Sequence, residues 1–322
     1  MVFFALLALI LFSFLLVKSA DHIVIAVRRL SGSGGKAFAV SAIIIAVGTS
    51  FPEISVAITS ALAGTPTVSL GNAMGANIVN LSLATGFVSL LIGNINFGGS
   101  YHKKEMYTGL VAGILPLLLL LDGTLSRIDG IILLSVYVVF ALSFLRSSFK
   151  EIVNEHREES FVYRFFRRFS HIDAKKSREF GRFFVALVVI LFSAGVVVKL
   201  ANFLATGFGV PSLVTGLVFV ALGTSLPELA FSLRSLEDHE PSMFVGNLIG
   251  SIVANSTLVI GLASIIHPIE VVAVNKYYPA IFFFIIIYLC FWLFTKSKHR
   301  LDRWESMILL LLYVAFLVVE FL

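Results

Sequence analysis

Two glutamates sit in the same local setting at distant points of the chain. Glu53 closes the run Gly48-Thr-Ser-Phe-Pro-Glu53, and Glu228 closes Gly223-Thr-Ser-Leu-Pro-Glu228. Both runs interrupt apolar sequence, where a carboxylate is costly unless it is paired, solvated or holding an ion. In each run the proline lacks an N–H and clashes with the carbonyl four residues earlier, that of Gly48 or Gly223. A helix must therefore break or kink there and release carbonyl oxygens. Thr49, Ser50, Thr224 and Ser225 add hydroxyls beside the break. An all-oxygen set around a carboxylate suits hard cations such as Ca²⁺ and Na⁺. One such run alone reads equally well as a packing kink. Two at matched positions point to ligands or proton carriers.

The match extends well beyond the two runs. The segment 46–86 aligns without a gap on 221–261 at an offset of 175, with 14 of 41 positions identical. The identities include Gly48/Gly223, Pro52/Pro227, Glu53/Glu228, Gly71/Gly246, Asn72/Asn247, Gly75/Gly250 and Asn80/Asn255. Two unrelated apolar helices would share Leu, Val and Ile by chance, not Gly, Pro, Asn and Glu. Asn72, Ala76 and Asn80 fall four apart on one helical face, as do Asn247, Ser251 and Asn255. Asn80 and Asn255 can bring amide oxygens toward the carboxylates, while Asn72 and Asn247 suit ligation or interhelical hydrogen bonding. Gly71/Gly75 and Gly246/Gly250 are small-xxx-small pairs that let backbones approach closely.

The elements that must position these residues follow from composition. Of 322 residues 58% are hydrophobic and 13% charged, and mean hydropathy is +0.98. A soluble domain carries about a quarter charged residues, so the chain is expected in a bilayer. Ten apolar stretches are long enough to span one: 2–25, 37–61, 67–92, 105–121, 128–146, 183–205, 212–235, 242–266, 277–295 and 304–321. The first carries no basic residue before Lys18, which argues against a signal peptide. With the N-terminus outside, alternating loops put 21 of the 24 Lys and Arg residues inside and leave only Arg127, Lys199 and Lys276 outside. That is the positive-inside bias. It puts both termini outside and accounts for the net charge of +5 without a nucleic-acid partner.

The repeat offset covers five spans, an odd number, so the second copy runs through the membrane in the opposite direction. Inverted repeats with interrupted helices at matching positions mark secondary transporters, with the site near the midplane. The expected fold is an all-α integral membrane protein of ten transmembrane helices. These form two inverted five-helix repeats, with helices 2 and 7 broken at the ion site. Residues 1–146 form the first half with the repeat 46–86, 147–182 a cytoplasmic connector, and 183–322 the second half with the repeat 221–261. Cys290 is the only cysteine, so no internal disulfide or thiolate cluster forms. All seven histidines fall in loops or near span ends, and no HExxH motif occurs, so nothing suggests an enzyme.

The paired GTS-x-PE segments, each followed by GN-x-x-G and a polar residue, resemble the two alpha-repeats of the Ca²⁺/cation antiporter superfamily. The branch they resemble most is the sodium/calcium exchangers, prokaryotic members included. The resemblance implies exchange of cytoplasmic Ca²⁺ for external Na⁺ by alternating access, with no cofactor and no obligatory protein partner, in a prokaryotic cell membrane. It implies that Glu53 and Glu228 bind at a shared centre completed by Asn80. Thr49, Ser50, Thr224, Ser225 and Ser251, with the carbonyls of Ala46 and Ala221, would line flanking Na⁺ positions. Two residues depart from the pattern: many of these exchangers have Asp where Asn255 stands and Ser where Ala76 stands. Fewer oxygens and one carboxylate less leave H⁺, which also neutralises carboxylates, as the alternative counter-ion.

Overall fold

The computed structural model describes residues 50–96, 102–153, 174–207, 212–271 and 274–321, with scattered positions between Leu7 and Ala26. Most of the first span, Ala46, Thr49, the Gly48 end of the first break and connector residues 154–173 lie outside the described residues.

The architecture is helical. The first helices described from end to end are α1 (Phe51–Leu62), α2 (Pro66–Val79) and α3 (Thr85–Ile92), with a π-helical segment, π1 (Asn80–Ala84), between the last two. There follow α4 (His102–Leu119), α5 (Arg127–Val153) and α6 (Ala174–Gly207). A short turn α7 (Ser212–Val214) leads into π2 (Thr215–Val220), α8 (Ala221–Thr224) and α9 (Leu226–Glu237). Then come α10 (Pro241–Val253), π3 (Ala254–Val259), α11 (Ile260–Ile266), α12 (Val274–Lys298) and α13 (Arg303–Phe321). Helices α5 and α6 run into the expected connector from either side, so its ends at 147–153 and 174–182 are helical.

Among the described residues four helices are long and apolar enough to cross a membrane: Pro66–Ile92, Pro241–Ile266, Tyr277–Lys298 and Arg303–Phe321. A bent pair, Gly216–Thr224 with Leu226–Glu237, adds a fifth. The first two are 72% buried, against 39% and 33% for the last two. The helices that follow each glutamate run thus form the middle of the molecule. Helices α12 and α13 lie at its edge, with Phe282, Leu293, Leu311 and Val314 exposed on their outer faces.

The purely α-helical expectation needs one correction. Strand β1 (Ile95–Asn96) pairs antiparallel with β4 (Arg300–Leu301), and β2 (Thr124–Leu125) with β3 (Ile269–Glu270). These two-residue ladders satisfy backbone groups where chains leave the helices. Each ladder joins one half of the chain to the other, and the repeat offset interchanges them.

The offset also orders the helices. Pro66 and Pro241 both occupy the first turn of their helices, where a missing N–H costs nothing. The preceding turns use Gly64 (φ 74°) and His239 (φ 58°), counterparts in the repeat that share the left-handed conformation.

Small residues seat the halves against each other. A Cβ on Gly71 would meet the Leu213 carbonyl, one on Gly75 the Leu217 carbonyl and Ala221, and one on Gly216 the Val68 carbonyl at 2.5 Å. Contacts along α2 advance together with those along π2 and α8, so these segments lie side by side and run in the same direction. Helix α1 is joined to α2 by the three residues Ala63–Thr65 and packs against it as a hairpin.

Candidate cation site

Glu53 falls in the first turn of α1 behind Pro52, with Ser50 as N-cap. Glu228 falls in the first turn of α9 behind Pro227, with Ser225 as N-cap. The break foreseen from Pro227 is present as a bend of 46° between Gly216–Thr224 and Leu226–Glu237. Neither N-cap serine uses its hydroxyl to cap its helix, which leaves those oxygens for another partner. Both carboxylates are enclosed, Glu53 at 0% and Glu228 at 2% exposure. A carboxylate so far from water is stable only when positive charge or several donors reach it.

Residues of the two halves meet at Glu53. The Thr224 hydroxyl faces the Glu53 carboxyl, lies 3.1 Å from Asn72 Oδ1 and 3.3 Å from the Ala221 carbonyl, and can donate to one of them at a time. One hydroxyl from the second copy thus contacts an amide of the first and faces its carboxylate. At the level of elements the exchange is mutual: α1, which carries Glu53, packs on π3, and α9, which carries Glu228, packs on π1. Asn80 opens π1, and Asn255 is the second residue of π3. Each glutamate helix therefore leans on the asparagine segment of the opposite copy.

Several of the foreseen ligands hold buried oxygens with no hydrogen-bond partner among the described residues: Ser50 Oγ, both Glu53 oxygens, Asn80 Oδ1, Ser225 Oγ, Ser251 Oγ and Asn255 Oδ1. An unmet buried polar atom costs about 1–3 kcal/mol, a cost that a cation bound among these oxygens would relieve. The Ala221 carbonyl is less free than expected, since it already accepts the Ser225 N–H at 2.9 Å. No group of three or more His, Cys, Asp or Glu side chains gathers among the described residues. A cation here would rely on carboxylates in pairs at most, with neutral oxygens completing its shell.

The π segments were not foreseen. Within π1 the Asn80 carbonyl accepts the Thr85 hydroxyl at 2.7 Å, a five-residue step. Such segments open the helix ladder and recur at functional sites. Also unforeseen is a buried chain of side chains in which Asn255 Nδ2 donates to Asn77 Oδ1 (3.2 Å) and Asn77 Nδ2 donates to Ser256 Oγ (2.9 Å). Asn77 and Ser256 face Ile252 and Leu81 in the repeat alignment, so a search for matched polar residues passes over them. Their signal is only that each is polar in a helix buried on nearly all sides.

The sodium/calcium exchanger protein family matches residues 1–146 and 179–322, nearly the whole chain. The chain belongs to that family. It is accordingly a multi-pass membrane transporter and not an enzyme. Among its relatives, the inner membrane protein YrbG of Escherichia coli is 29% identical over 261 residues, covering 80% of this chain and 78% of YrbG. The sodium/calcium exchanger MaX1 of Methanosarcina acetivorans is 26% identical over 336 residues, covering 95% of both chains. A solved structure of the sodium-calcium exchanger NCX_Mj, soaked with Na⁺ and Sr²⁺, superposes with a TM-score of 0.75 at 26% identity over 99% of both chains. The family is described as one of sodium/calcium exchangers.

Proposed function

We propose that the chain is a secondary antiporter that exchanges Ca²⁺ for Na⁺ by alternating access at one site shared by Glu53 and Glu228. The observation that carries this reading is the pair of enclosed glutamates at matched first-turn positions behind a proline, one of them faced by Thr224 of the other copy. Thr49, Ser50, Ser225, Ser251, Asn80 and Asn255, with the Ala46 and Ala221 carbonyls, complete the ion positions. Ten helices in two inverted halves hold them, and both termini face the outside of a prokaryotic cell membrane. The inversion is supported by direction: π2 and α8 run with α2, hence against α1, the counterpart of α9.

The electrostatics account for obligatory exchange. Two carboxylates in low dielectric repel strongly when both are charged. One Ca²⁺ neutralises the pair, whereas sodium must enter as two or more ions, so the two occupancies exclude each other. The empty dianionic site resists reorientation, because it would move uncompensated charge through the apolar interior. Names and substrates of MaX1 and NCX_Mj favour Na⁺ as the counter-ion.

The test is ⁴⁵Ca²⁺ uptake into proteoliposomes carrying an imposed gradient of Na⁺, K⁺ or H⁺. Uptake driven by the outward Na⁺ gradient alone is expected. Uptake that follows the H⁺ gradient, or persists with no counter-ion at all, would replace sodium exchange with proton exchange or with a channel.

A further inference from the structure

Asn77 is 3% exposed and joins two residues of the second half through its carboxamide. Its Oδ1 accepts from Asn255 Nδ2 at 3.2 Å, and its Nδ2 donates to Ser256 Oγ at 2.9 Å. We propose that Asn77, anchored by Ser256, is a positioning residue that turns the Asn255 carboxamide so that its oxygen, and not its NH₂, is presented to the transported cation. The inference rests on the reading of Asn255 as part of the cation site.

A carboxamide offers two opposite faces to an ion: an acceptor oxygen that attracts it and an NH₂ group that repels it. Asn255 is 0% exposed. Its Nδ2 is engaged by Asn77, while its Oδ1 has no hydrogen-bond partner among the described residues. The segment that carries it, π3, packs on both α1, which bears Glu53, and α2, which bears Asn77. Turning Asn255 alone would set its oxygen against Asn77 Oδ1, two acceptors with no proton between them. Turning both amides would bring Asn77 Oδ1 against Ser256 and require that hydroxyl to donate instead. The two amides therefore turn together, and in the arrangement present Ser256 accepts from Asn77 while Asn77 accepts from Asn255. A carboxylate at position 255 would need no such device, because both of its oxygens accept. The orienting chain is a requirement of having an amide at that position.

The experiment measures half-saturating Ca²⁺ and maximal rate of ⁴⁵Ca²⁺ uptake in proteoliposomes for the full chain, Asn77→Ala, Ser256→Ala, Asn255→Ala and the double variant Asn77→Ala/Asn255→Ala. Asn77→Ala is expected to raise half-saturating Ca²⁺ about fivefold to tenfold with maximal rate little changed, the scale of one hydrogen bond. Ser256→Ala should shift it the same way by less. The double variant should match Asn255→Ala, because Asn77 acts only through that amide. If Asn255→Ala shifts half-saturation but Asn77→Ala does not, or if their effects add, the positioning role is overturned and the site reading stands. If Asn255→Ala itself leaves half-saturation unchanged, the reading of Asn255 as a ligand fails and the proposal falls with it. Should Asn77→Ala not fold, an unchanged half-saturation in Ser256→Ala is enough to overturn the role.

Discussion

Glu53 and Glu228 each stand in the first turn of a helix, where unpaired N–H groups and the backbone dipole favour negative charge. Each acid thus sits at a position whose backbone already favours its charged form. Asp302, in the turn between α12 and α13, shows another arrangement. Lys298 donates to it at 2.8 Å and Arg300 lies at 2.9 Å, and chiefly the Lys298 hydrogen bond holds its carboxyl below the usual carboxylate range. A carboxyl depressed by folding stabilises the fold above its unfolded value of about 3.9 and loses that effect as pH falls through the folded value. Asp302→Asn is therefore expected to lower the melting temperature near neutral pH, with the gap to the parent protein closing below about pH 3.9. Thermal unfolding of the purified protein across pH reads this directly, and a gap that stays constant would refute it. At this scale Glu53, Glu228, Asn80 and Asn255 were legible because the repeat doubles them. Asn77 and Ser256 were not, since their pairing depends on which faces the two halves bring together and not on matched positions.

Among the elements, the closest approach lies where α2 meets π2 and α8. Ala at position 75 would drive a methyl into the Leu217 carbonyl, a backbone atom that cannot turn aside. Gly64 presents the contrary case: its turn has open space around it but a φ of 74°. Gly75→Ala is expected to cost about 3 kcal/mol by overpacking and to abolish transport, whereas Gly64→Ala costs only about 1 kcal/mol of left-handed strain. Thermal unfolding and uptake on both variants check this. Equal tolerance of the two would mean the helices are not in backbone contact. The Pro227 bend and the Gly71/Gly75 seam could be read from residue types, because proline and glycine act through local geometry. The π segments could not, because Asn80-Leu-Ser-Leu-Ala reads as ordinary helix until its neighbours impose the extra residue. The β ladders were hidden as well, since Ile95 and Leu301 pair across almost the whole chain.

For the molecule as a whole, membrane residence and a transport role were legible from three independent features: the composition, the 175-residue offset and the placement of Lys and Arg. The structure buries Pro66–Ile92 and Pro241–Ile266 at the centre, in keeping with their many polar and small residues. Helix lengths were less legible: α5 extends to Val153 and α6 begins at Ala174, because a helix need not stop where hydrocarbon ends. The account's central claim is that acids from the two halves hold one and the same cation. Equilibrium ⁴⁵Ca²⁺ binding to purified protein tests it most directly, using the parent chain, Glu53→Gln and Glu228→Gln. The account predicts one saturable Ca²⁺ per chain, lost in either variant. Parent-like binding in either variant, or two sites of which each variant removes only one, would contradict it.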